Sequence, residues 1–248
     1  MLHPPSSPSG ALAQLGFGVR FEWGEHGARA LSAGSDVLVV VDVLSFSTTV
    51  DVATARGALV YPAAPDEAAA ADLARSLGAE LAVHRSAMGH RSPYSLSPAS
   101  VAAIEPGARL VLPSPNGAAV AAVAGGTIPV IAGCLRNAAA VAAHLTTGFR
   151  RISVLAAGER WPDGSLRPAL EDMIGAGAIL AGLHHAGFSP EAEAAVAMYD
   201  RMGARGVAGC ASAGELALAG YADDVRWAAD ENSSSAVPML AEGAFRAL

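Results

Sequence analysis

Short apolar runs alternate along this chain with longer segments of helical periodicity. The clearest run, residues 36–43 (DVLVVVDV), is apolar at consecutive positions and rich in valine, which is typical of a strand buried on both faces of a parallel sheet. Similar short runs occur at residues 58–62, 80–84, 109–113, 127–132 and 152–156. Helical patterns lie between them, as in residues 64–77, and after them, as in residues 169–185. This alternation predicts an α/β fold, a three-layer α/β/α domain with a mostly parallel or mixed sheet.

The beginning and the middle of the chain depart from this rhythm. Proline, serine and glycine are frequent in residues 1–14, which we interpret as a flexible leader. Residues 85–107 are rich in serine and proline and are expected to form an active-site or lid loop rather than a domain boundary. No internal repeat is visible, so residues 15–248 are predicted to form a single α/β domain.

Composition excludes several classes of protein. Of the 248 residues, 52% are hydrophobic and 16% are charged, and the mean hydropathy is +0.36, which is incompatible with intrinsic disorder. The longest uncharged stretch, residues 110–135, is interrupted by prolines and glycines, so no membrane-spanning helix is expected. The N-terminus has no signal-peptide pattern, and we therefore expect a cytoplasmic protein without a membrane partner.

The charged residues narrow the chemistry further. All sixteen basic residues are arginine, which excludes mechanisms that need a lysine, such as a P-loop or a Schiff base. A net charge of −7 argues against nucleic acid as a partner, since phosphate neutralisation needs clustered basic side chains. The two cysteines are too few for a disulfide framework. A homodimer is compatible with the sequence and is kept as an open expectation.

Polar residues cluster just after four of the predicted strands. Ligands of parallel α/β sheets bind outside the carboxyl ends of the strands, so these clusters form the candidate site. They are Asp42 with Ser45, Ser47, Thr48 and Thr49; residues 114–117 (SPNG); residues 133–137 (GCLRN); and Gly158 with Glu159, extended by Asp163, Glu171 and Asp172. Hydroxyl and amide donors at helix N-termini, combined with carboxylates, suit a phosphorylated or other anionic ligand held with Mg²⁺.

Each cluster also has a purely structural interpretation. Ser47 or Thr48 could cap a helix, Asn116 and Gly117 could form an ordinary turn, and Glu171 and Asp172 could cap the helix that they begin. Asp42 differs, because a carboxylate at the end of an apolar strand is costly unless it is paired or metal-bound. A covalent aspartyl-phosphate mechanism is excluded, since the second acid that it needs two residues on is replaced by Leu44.

Together these motifs resemble a known family. Residues 40–50 (VVDVLSFSTTV) are similar to the opening motif of the 2-phosphosulfolactate phosphatase family. Further matches follow in the family's order: SPNG at 114–117, CLRNA at 134–138, AAGE at 156–159, LED at 170–172 before GAG at 175–177, and GYADDV at 220–225. The resemblance covers roughly residues 17–240. It implies a Mg²⁺-dependent enzyme that hydrolyses the phosphate ester of phosphosulfolactate.

The resemblance implies a phosphatase that acts on a small, highly anionic phosphate monoester. It gives the polar residues three roles. Asp42, Glu171 and Asp172 are expected to hold Mg²⁺, directly or through water. Glu159 is expected to orient or deprotonate the attacking water. The residues expected to bind the substrate are Ser47, Thr48, Thr49, Asn116, Gly117 and Asn137, of which Asn116 is also a candidate catalytic residue.

Departures from the family pattern concern the substrate. The family usually carries an arginine after Asp-Val-Leu, where this chain has Ser45, and a glutamate and an asparagine in its middle segment that are absent here. Arg85 or Arg91 is predicted to restore the lost positive charge by pointing into the site towards Asp42. The alternative is that both arginines are solvated on a mobile loop. Arg136 is the competing source of charge. These losses leave a second function class open, a non-catalytic binding protein for a small phosphorylated or sulfonated anion on the same scaffold.

Overall fold

The computed structural model describes residues 11–124, 127–184 and 187–248. The strands of this part of the chain are β1 (Val19–Trp23), β2 (Val37–Val41), β3 (Leu59–Ala63), β4 (Glu80–Leu81), β5 (Arg109–Pro113), β6 (Val130–Gly133), β7 (Ile152–Ala156), β8 (Glu159–Arg160), β9 (Leu166–Arg167), β10 (Pro238–Ala241) and β11 (Ala244–Ala247). The helices are α1 (Gly24–Ser32), α2 (Phe46–Ala55), α3 (Glu67–Leu77), α4 (Pro98–Val101), α5 (Gly117–Ala124), α6 (Ala138–Gly148), α7 (Leu170–Ala181), α8 (Pro190–Gly209), α9 (Ala211–Leu218) and α10 (Ala222–Ala228).

Within the described ranges, nine strands form one mixed sheet in the order β1-β7-β2-β6-β10-β11-β3-β5-β4. The pairs on either side of β2 are parallel, as are those that join β3, β5 and β4. The antiparallel hairpin β10–β11 lies between these two parallel halves and joins them, through Met239 opposite Ile131 and Phe245 opposite Val60. The predicted α/β fold with a mostly parallel or mixed sheet is confirmed.

The core lies on both faces of the sheet. Val37, Val39 and Val41 pack with residues of α6, α7 and α8, whereas Leu38 and Val40 pack on the opposite face with residues of α1, α2 and α5. All five residues of β2 are fully buried, as the run of consecutive apolar residues predicts. The helices on the two faces therefore make up the outer layers of a three-layer arrangement.

The N-terminal segment and the helix α7 can be compared with the predicted pattern. Residues 1–10 of the expected leader lie outside the described residues, and residues 11–16 form a turn in which the Gln14 amide donates to the Phe21 carbonyl at 2.9 Å. The long helix expected at residues 169–185 is observed as α7, and His185 lies outside the described residues. In the part of the chain that the structure describes, no helix has the length and apolar character needed to cross a membrane.

Candidate active site

Asp42 lies directly after the buried strand β2, and the residue is 6% exposed. Its Oδ1 accepts a hydrogen bond from the Phe46 amide at 3.1 Å, and its Oδ2 accepts one from the Gly117 amide at 2.8 Å. These amides belong to the first residues of α2 and α5, so one carboxylate joins the N-termini of two helices. Burial, followed by repulsion from Glu159, raises the pKa of Asp42 to about 7.

Asp172, in the first turn of α7, is a second buried carboxylate that holds loops together. Its Oδ1 accepts from the Val43 amide at 2.7 Å and its Oδ2 from the Gly158 amide at 2.8 Å, so it connects the segments that follow β2 and β7. Burial, repulsion from Asp42 and repulsion from Glu171 raise the pKa of Asp172 well above its ordinary value. Both aspartates therefore set the positions of the strand-end loops.

The side chains of Glu159, which follows β7, and Asn116, which follows β5, form a hydrogen-bonded pair. The Nδ2 group of Asn116 donates to Oε2 of Glu159 at 2.9 Å, which leaves the other carboxylate oxygen available to a ligand or water. Burial is the largest influence on Glu159, and it raises the pKa of this carboxyl. The pair has the geometry of a base whose orientation is fixed by an amide.

An open cavity of about 550 Å³ lies in front of these residues. We call it the acidic cavity, because the carboxylates of Asp42, Glu159 and Glu215 are among the side chains that line it. Groups that can donate hydrogen bonds line the rest of its polar surface: Ser45, His84, Arg85, Ser86, Ser114, Asn116, Ser212 and Tyr221. A cavity lined by both carboxylates and hydrogen-bond donors suits an anionic ligand bound together with a cation.

Arg85 is the arginine that the structure brings to the acidic cavity. Its Nη2 donates to the Ser45 hydroxyl and to the Leu96 carbonyl, both at 2.8 Å, and its Nε donates to the buried Asp224 carboxylate at 3.2 Å. The guanidinium carbon also lies 5.4 Å from the ring centroid of Tyr221. Arg85 therefore contacts the very residue, Ser45, that stands where the family usually has arginine.

A family model described as 2-phosphosulpholactate phosphatase matches residues 27–243 of the 248. The chain belongs to this family. As a member of the 2-phosphosulpholactate phosphatase family it is a phosphatase, a hydrolase of phosphoric monoesters. No curated protein matches the chain. The match includes Asp42, Asn116 and Glu159, so the acidic cavity is built from the part of the chain that carries the family relationship.

Several residues expected to bind substrate do not line the acidic cavity. The hydroxyls of Ser47, Thr48 and Thr49 donate to the main-chain carbonyls of Val40, Val43 and Leu96, at 3.0, 2.7 and 3.4 Å. The Asn137 side chain is fully buried, where it accepts from the Cys134 amide and donates to the Ala132 carbonyl. These side chains bond to main-chain groups, of their own segment in all cases except Thr49, and none of them lines the acidic cavity.

Gly117 has a structural reason to be glycine. A Cβ atom there would lie 2.3 Å from the Phe46 ring and 2.8 Å from Oδ2 of Asp42, so no side chain fits. Its amide is already bound to Asp42, which places it at the cavity's edge as a support for the carboxylate.

The other two candidate arginines lie elsewhere. Arg91 is more than half exposed, pairs with Glu67 at 2.5 Å and does not line the acidic cavity. Arg136 is buried, pairs with Asp51 at 3.0 Å and lies over the ring of Trp227. Both guanidinium groups are thus held in other ion pairs. Arg85 remains the candidate for binding the negative charge of the substrate.

The acids expected to hold Mg²⁺ are close enough to repel one another but are not arranged as one set of ligands. Within the described ranges, no three His, Cys, Asp or Glu side chains come together as a metal-binding group. Asp172, like Asp42, accepts main-chain amides with both oxygens, but neither Asp172 nor Glu171 lines the acidic cavity, whereas Asp42 does. Mg²⁺ usually takes one or two protein carboxylates plus water and phosphate oxygens, and Asp42, which lines the cavity, fits that requirement.

Sequence reasoning did not single out Glu215, Ser212, Tyr221 and Asp224 as residues of the site. Tyr221 and Asp224 lie in the GYADDV segment that carries part of the family resemblance, so a signal for them was present. Glu215 and Ser212 lie on α9, away from any strand end, and only the packing of α9 beside the cavity reveals them.

Burial of Asp42, Glu159 and Asp172 predicts that the metal-free protein loses stability as the pH rises from about 4 to about 7. An unfolded aspartate ionises near 3.8, whereas Asp42 in the folded protein keeps its proton up to about 7. Between these pKa values the folded state binds more protons than the unfolded state, so the free energy of unfolding falls as pH rises. The raised pKa values of Glu159 and Asp172 act in the same direction. The lowered pKa values of Asp36 and Asp163 make the free energy of unfolding rise with pH, but only below about pH 3.8.

The measurement is the Tm of the protein in EDTA at about pH 5 and about pH 7.5, with the lower Tm expected at the higher pH. Asp42→Asn removes one of the titrating groups and should reduce the difference. An equal Tm at the two pH values would show that these carboxyls titrate as they do in the unfolded chain.

Proposed function

We propose that the protein is a Mg²⁺-dependent phosphatase that hydrolyses a small anionic phosphate monoester. The observation that carries this proposal is the acidic cavity, in which Asp42 and Glu159 share one space with the guanidinium of Arg85. Carboxylates alone would repel a phosphate, and an arginine alone would bind it without a means of activating water. The combination supports binding and hydrolysis at one place, as membership of a phosphatase family requires.

The donors of the cavity account for phosphate binding. Arg85 presents its guanidinium at the wall, and its Nη1 group makes no hydrogen bond among the described residues, so it can donate to a phosphate oxygen. The Ser45 hydroxyl, held by Arg85, lies beside it. Asp224 and Tyr221 keep the guanidinium in place through an ion pair and a ring contact.

The acids of the cavity account for the cation. Asp42 would hold Mg²⁺, directly or through water, with water and phosphate oxygens as the remaining ligands, and Glu171 and Asp172 add negative charge from behind the cavity wall. When bound, the ion would supply charge neutralisation between the phosphate and these carboxylates. Burial first and mutual repulsion second raise the pKa values of Asp42 and Asp172, and such a charge would relieve the repulsion.

Glu159 is the general base of the proposed reaction. Its raised pKa brings it nearer to neutrality, where a general base is most effective, and Asn116 fixes one of its oxygens. The free oxygen takes a proton from water as the water oxygen bonds to phosphorus. The bond between phosphorus and the ester oxygen breaks, and the proton passes to the departing alcohol. One water is consumed, and one alcohol and one inorganic phosphate are formed.

The test is phosphate release from a panel of phosphorylated hydroxy acids and simple alkyl phosphates, with Mg²⁺ and with EDTA. We expect at least one member to release phosphate in Mg²⁺ and none to do so in EDTA. Absence of release from every member, together with calorimetric binding of a panel member that is recovered intact, would instead favour the non-catalytic binding protein.

A further inference from the structure

A second cavity, of about 460 Å³, adjoins the acidic cavity. Four residues line both cavities, and we call them the boundary residues: His84, Arg85, Leu96 and Pro115. The second cavity is mixed in character, since Glu67 and Arg91 line it together with apolar side chains such as Leu81 and Val83. A ligand with its phosphate in the acidic cavity can therefore extend past the boundary residues into the second cavity.

One of the four boundary residues can give up a proton during the reaction. The side chains of Leu96 and Pro115 carry no exchangeable proton, and the guanidinium of Arg85 stays protonated in proteins. Histidine is the side chain that most often transfers protons in enzymes, because it gains and loses a proton near neutral pH. His84 is also exposed, so it can take up a proton from solvent after each turnover.

Ser86 holds the imidazole of His84 at its Nδ1 atom. The Ser86 hydroxyl lies 2.8 Å from Nδ1, and the Ser86 amide donates to Nδ1 at 3.3 Å. The hydroxyl can donate to Nδ1 of the neutral ring or accept from the N–H of the charged ring, so both forms of the imidazole keep a partner. Nε2 makes no hydrogen bond within the described ranges, which leaves its proton available to a ligand.

The two cavities also suggest on which side of the phosphate the ester oxygen departs. Glu159, the base that takes a proton from water, lines the acidic cavity and does not line the second cavity. In phosphoryl transfer the attacking and departing oxygens lie roughly in line, on opposite sides of phosphorus. An ester whose carbon body extends into the second cavity has its departing oxygen on the side of the boundary residues, and hence of His84.

We propose that His84 is the general acid of the reaction and protonates the departing ester oxygen. The inference rests on the proposed function for the position of the phosphate and for the role of Glu159. As the water oxygen bonds to phosphorus, Glu159 accepts a proton from the water. The bond between phosphorus and the ester oxygen breaks, and Nε2 of the His84 imidazolium donates a proton to that oxygen. The proton on Glu159 then returns to His84 through solvent, so the net transfer from water to alcohol runs through His84.

The loss caused by removing a general acid depends on the alcohol that departs. A weakly acidic alcohol leaves poorly as its anion and needs the proton, whereas a more acidic alcohol depends on the proton less. A residue that only binds phosphate, or that only maintains the fold, affects both kinds of ester equally. The leaving group therefore distinguishes a proton donor from any other role of His84.

The experiment compares kcat for two esters, measured on the full chain with Mg²⁺. One is the phosphorylated hydroxy acid that the protein hydrolyses fastest, such as phospholactate, and the other is its analogue with a trifluoromethyl group on the ester carbon. His84→Asn keeps an amide near the position of Nδ1 for the contact with Ser86 and removes Nε2. We expect this variant to lower kcat by about 10²-fold or more for the first ester, and by a factor at least about ten times smaller for the fluorinated ester.

His90→Asn is the matched control, because His90 is an exposed histidine of the same segment that lines neither cavity. It should keep the wild-type kcat for both esters. Equal losses for the two esters in His84→Asn, or full activity of this variant with the ester that lacks fluorine, would overturn the proposal.

Failure of this inference and failure of the proposed function give different results. If the wild-type protein releases phosphate from no member of the panel, the proposed function is refuted and the inference is refuted with it. If the wild-type protein releases phosphate and His84→Asn loses the same factor for both esters, only the role of His84 is refuted.

Discussion

Replacement of Glu159 by glutamine is expected to lower the kcat of phosphate release by a factor of about 10²–10⁴, the usual contribution of a positioned general base. The substitution keeps the shape of the side chain, and the amide oxygen of glutamine can still accept the hydrogen bond from Asn116, which spans 2.9 Å in the wild-type protein. The loss therefore reports on the proton-accepting oxygen rather than on packing. The measurement is steady-state phosphate release at saturating Mg²⁺ and substrate.

A matched variant separates the loss of a base from the loss of a charge. Glu215→Gln removes a carboxylate from the same acidic cavity, on α9, without touching the contact between Asn116 and Glu159. We expect it to lower kcat by less than about tenfold, since charge alone is changed. Equal losses in the two variants would assign the effect to charge, and full activity in Glu159→Gln would remove Glu159 from the mechanism.

Removal of the Arg85 side chain is expected to weaken the binding of inorganic phosphate by about 1.5–3 kcal/mol, or roughly 10- to 150-fold in Kd, the usual value of a charged hydrogen bond. The physical reason is that Arg85 is the arginine at the acidic cavity, whereas Arg91 and Arg136 are held in ion pairs outside it. The measurement is calorimetric titration of phosphate into Arg85→Ala in the presence of Mg²⁺.

Controls are needed because Arg85 also pairs with the buried Asp224, whose carboxylate is left without its partner in Arg85→Ala. Arg85→Lys keeps the positive charge and loses the forked geometry, so we expect it to recover part of the affinity. Arg75→Ala removes an exposed arginine of α3 and should leave the affinity unchanged. Unchanged phosphate binding in a folded Arg85→Ala protein would refute the role of this residue.

The central part of the fold was predictable because its signals are local. The valine run of β2 and the periodicity of α7 are visible within single windows of sequence. The hairpin β10–β11 was not predicted, because its place depends on pairing with Ile131 and Val60, more than a hundred residues earlier in the chain. Strand β1 was also missed, since its buried Arg20 interrupts the apolar pattern.

The candidate site was predictable to the extent that topology decides it. The carboxyl ends of parallel strands lie at one edge of a sheet, and this rule brought Asp42, Asn116 and Glu159 to one cavity. Sequence position does not reveal the direction of a side chain. Thr48 and Asn137 follow strand ends too, yet their polar groups turn back to the main chain. Whether Arg85 or Arg91 approached Ser45 depended on the path of their loop, which has no periodic signal.

The most direct test of the account is the Mg²⁺ dependence of phosphate release in the wild-type protein and in Asp42→Asn, with the best substrate of the panel. The account predicts no release in EDTA, recovery with Mg²⁺, and a half-saturating Mg²⁺ concentration that Asp42→Asn raises by about tenfold or more. The Tm of the variant shows whether the helix N-termini that Asp42 joins remain in place. Release at full rate in EDTA, or the same Mg²⁺ dependence in a folded Asp42→Asn protein, would contradict the account.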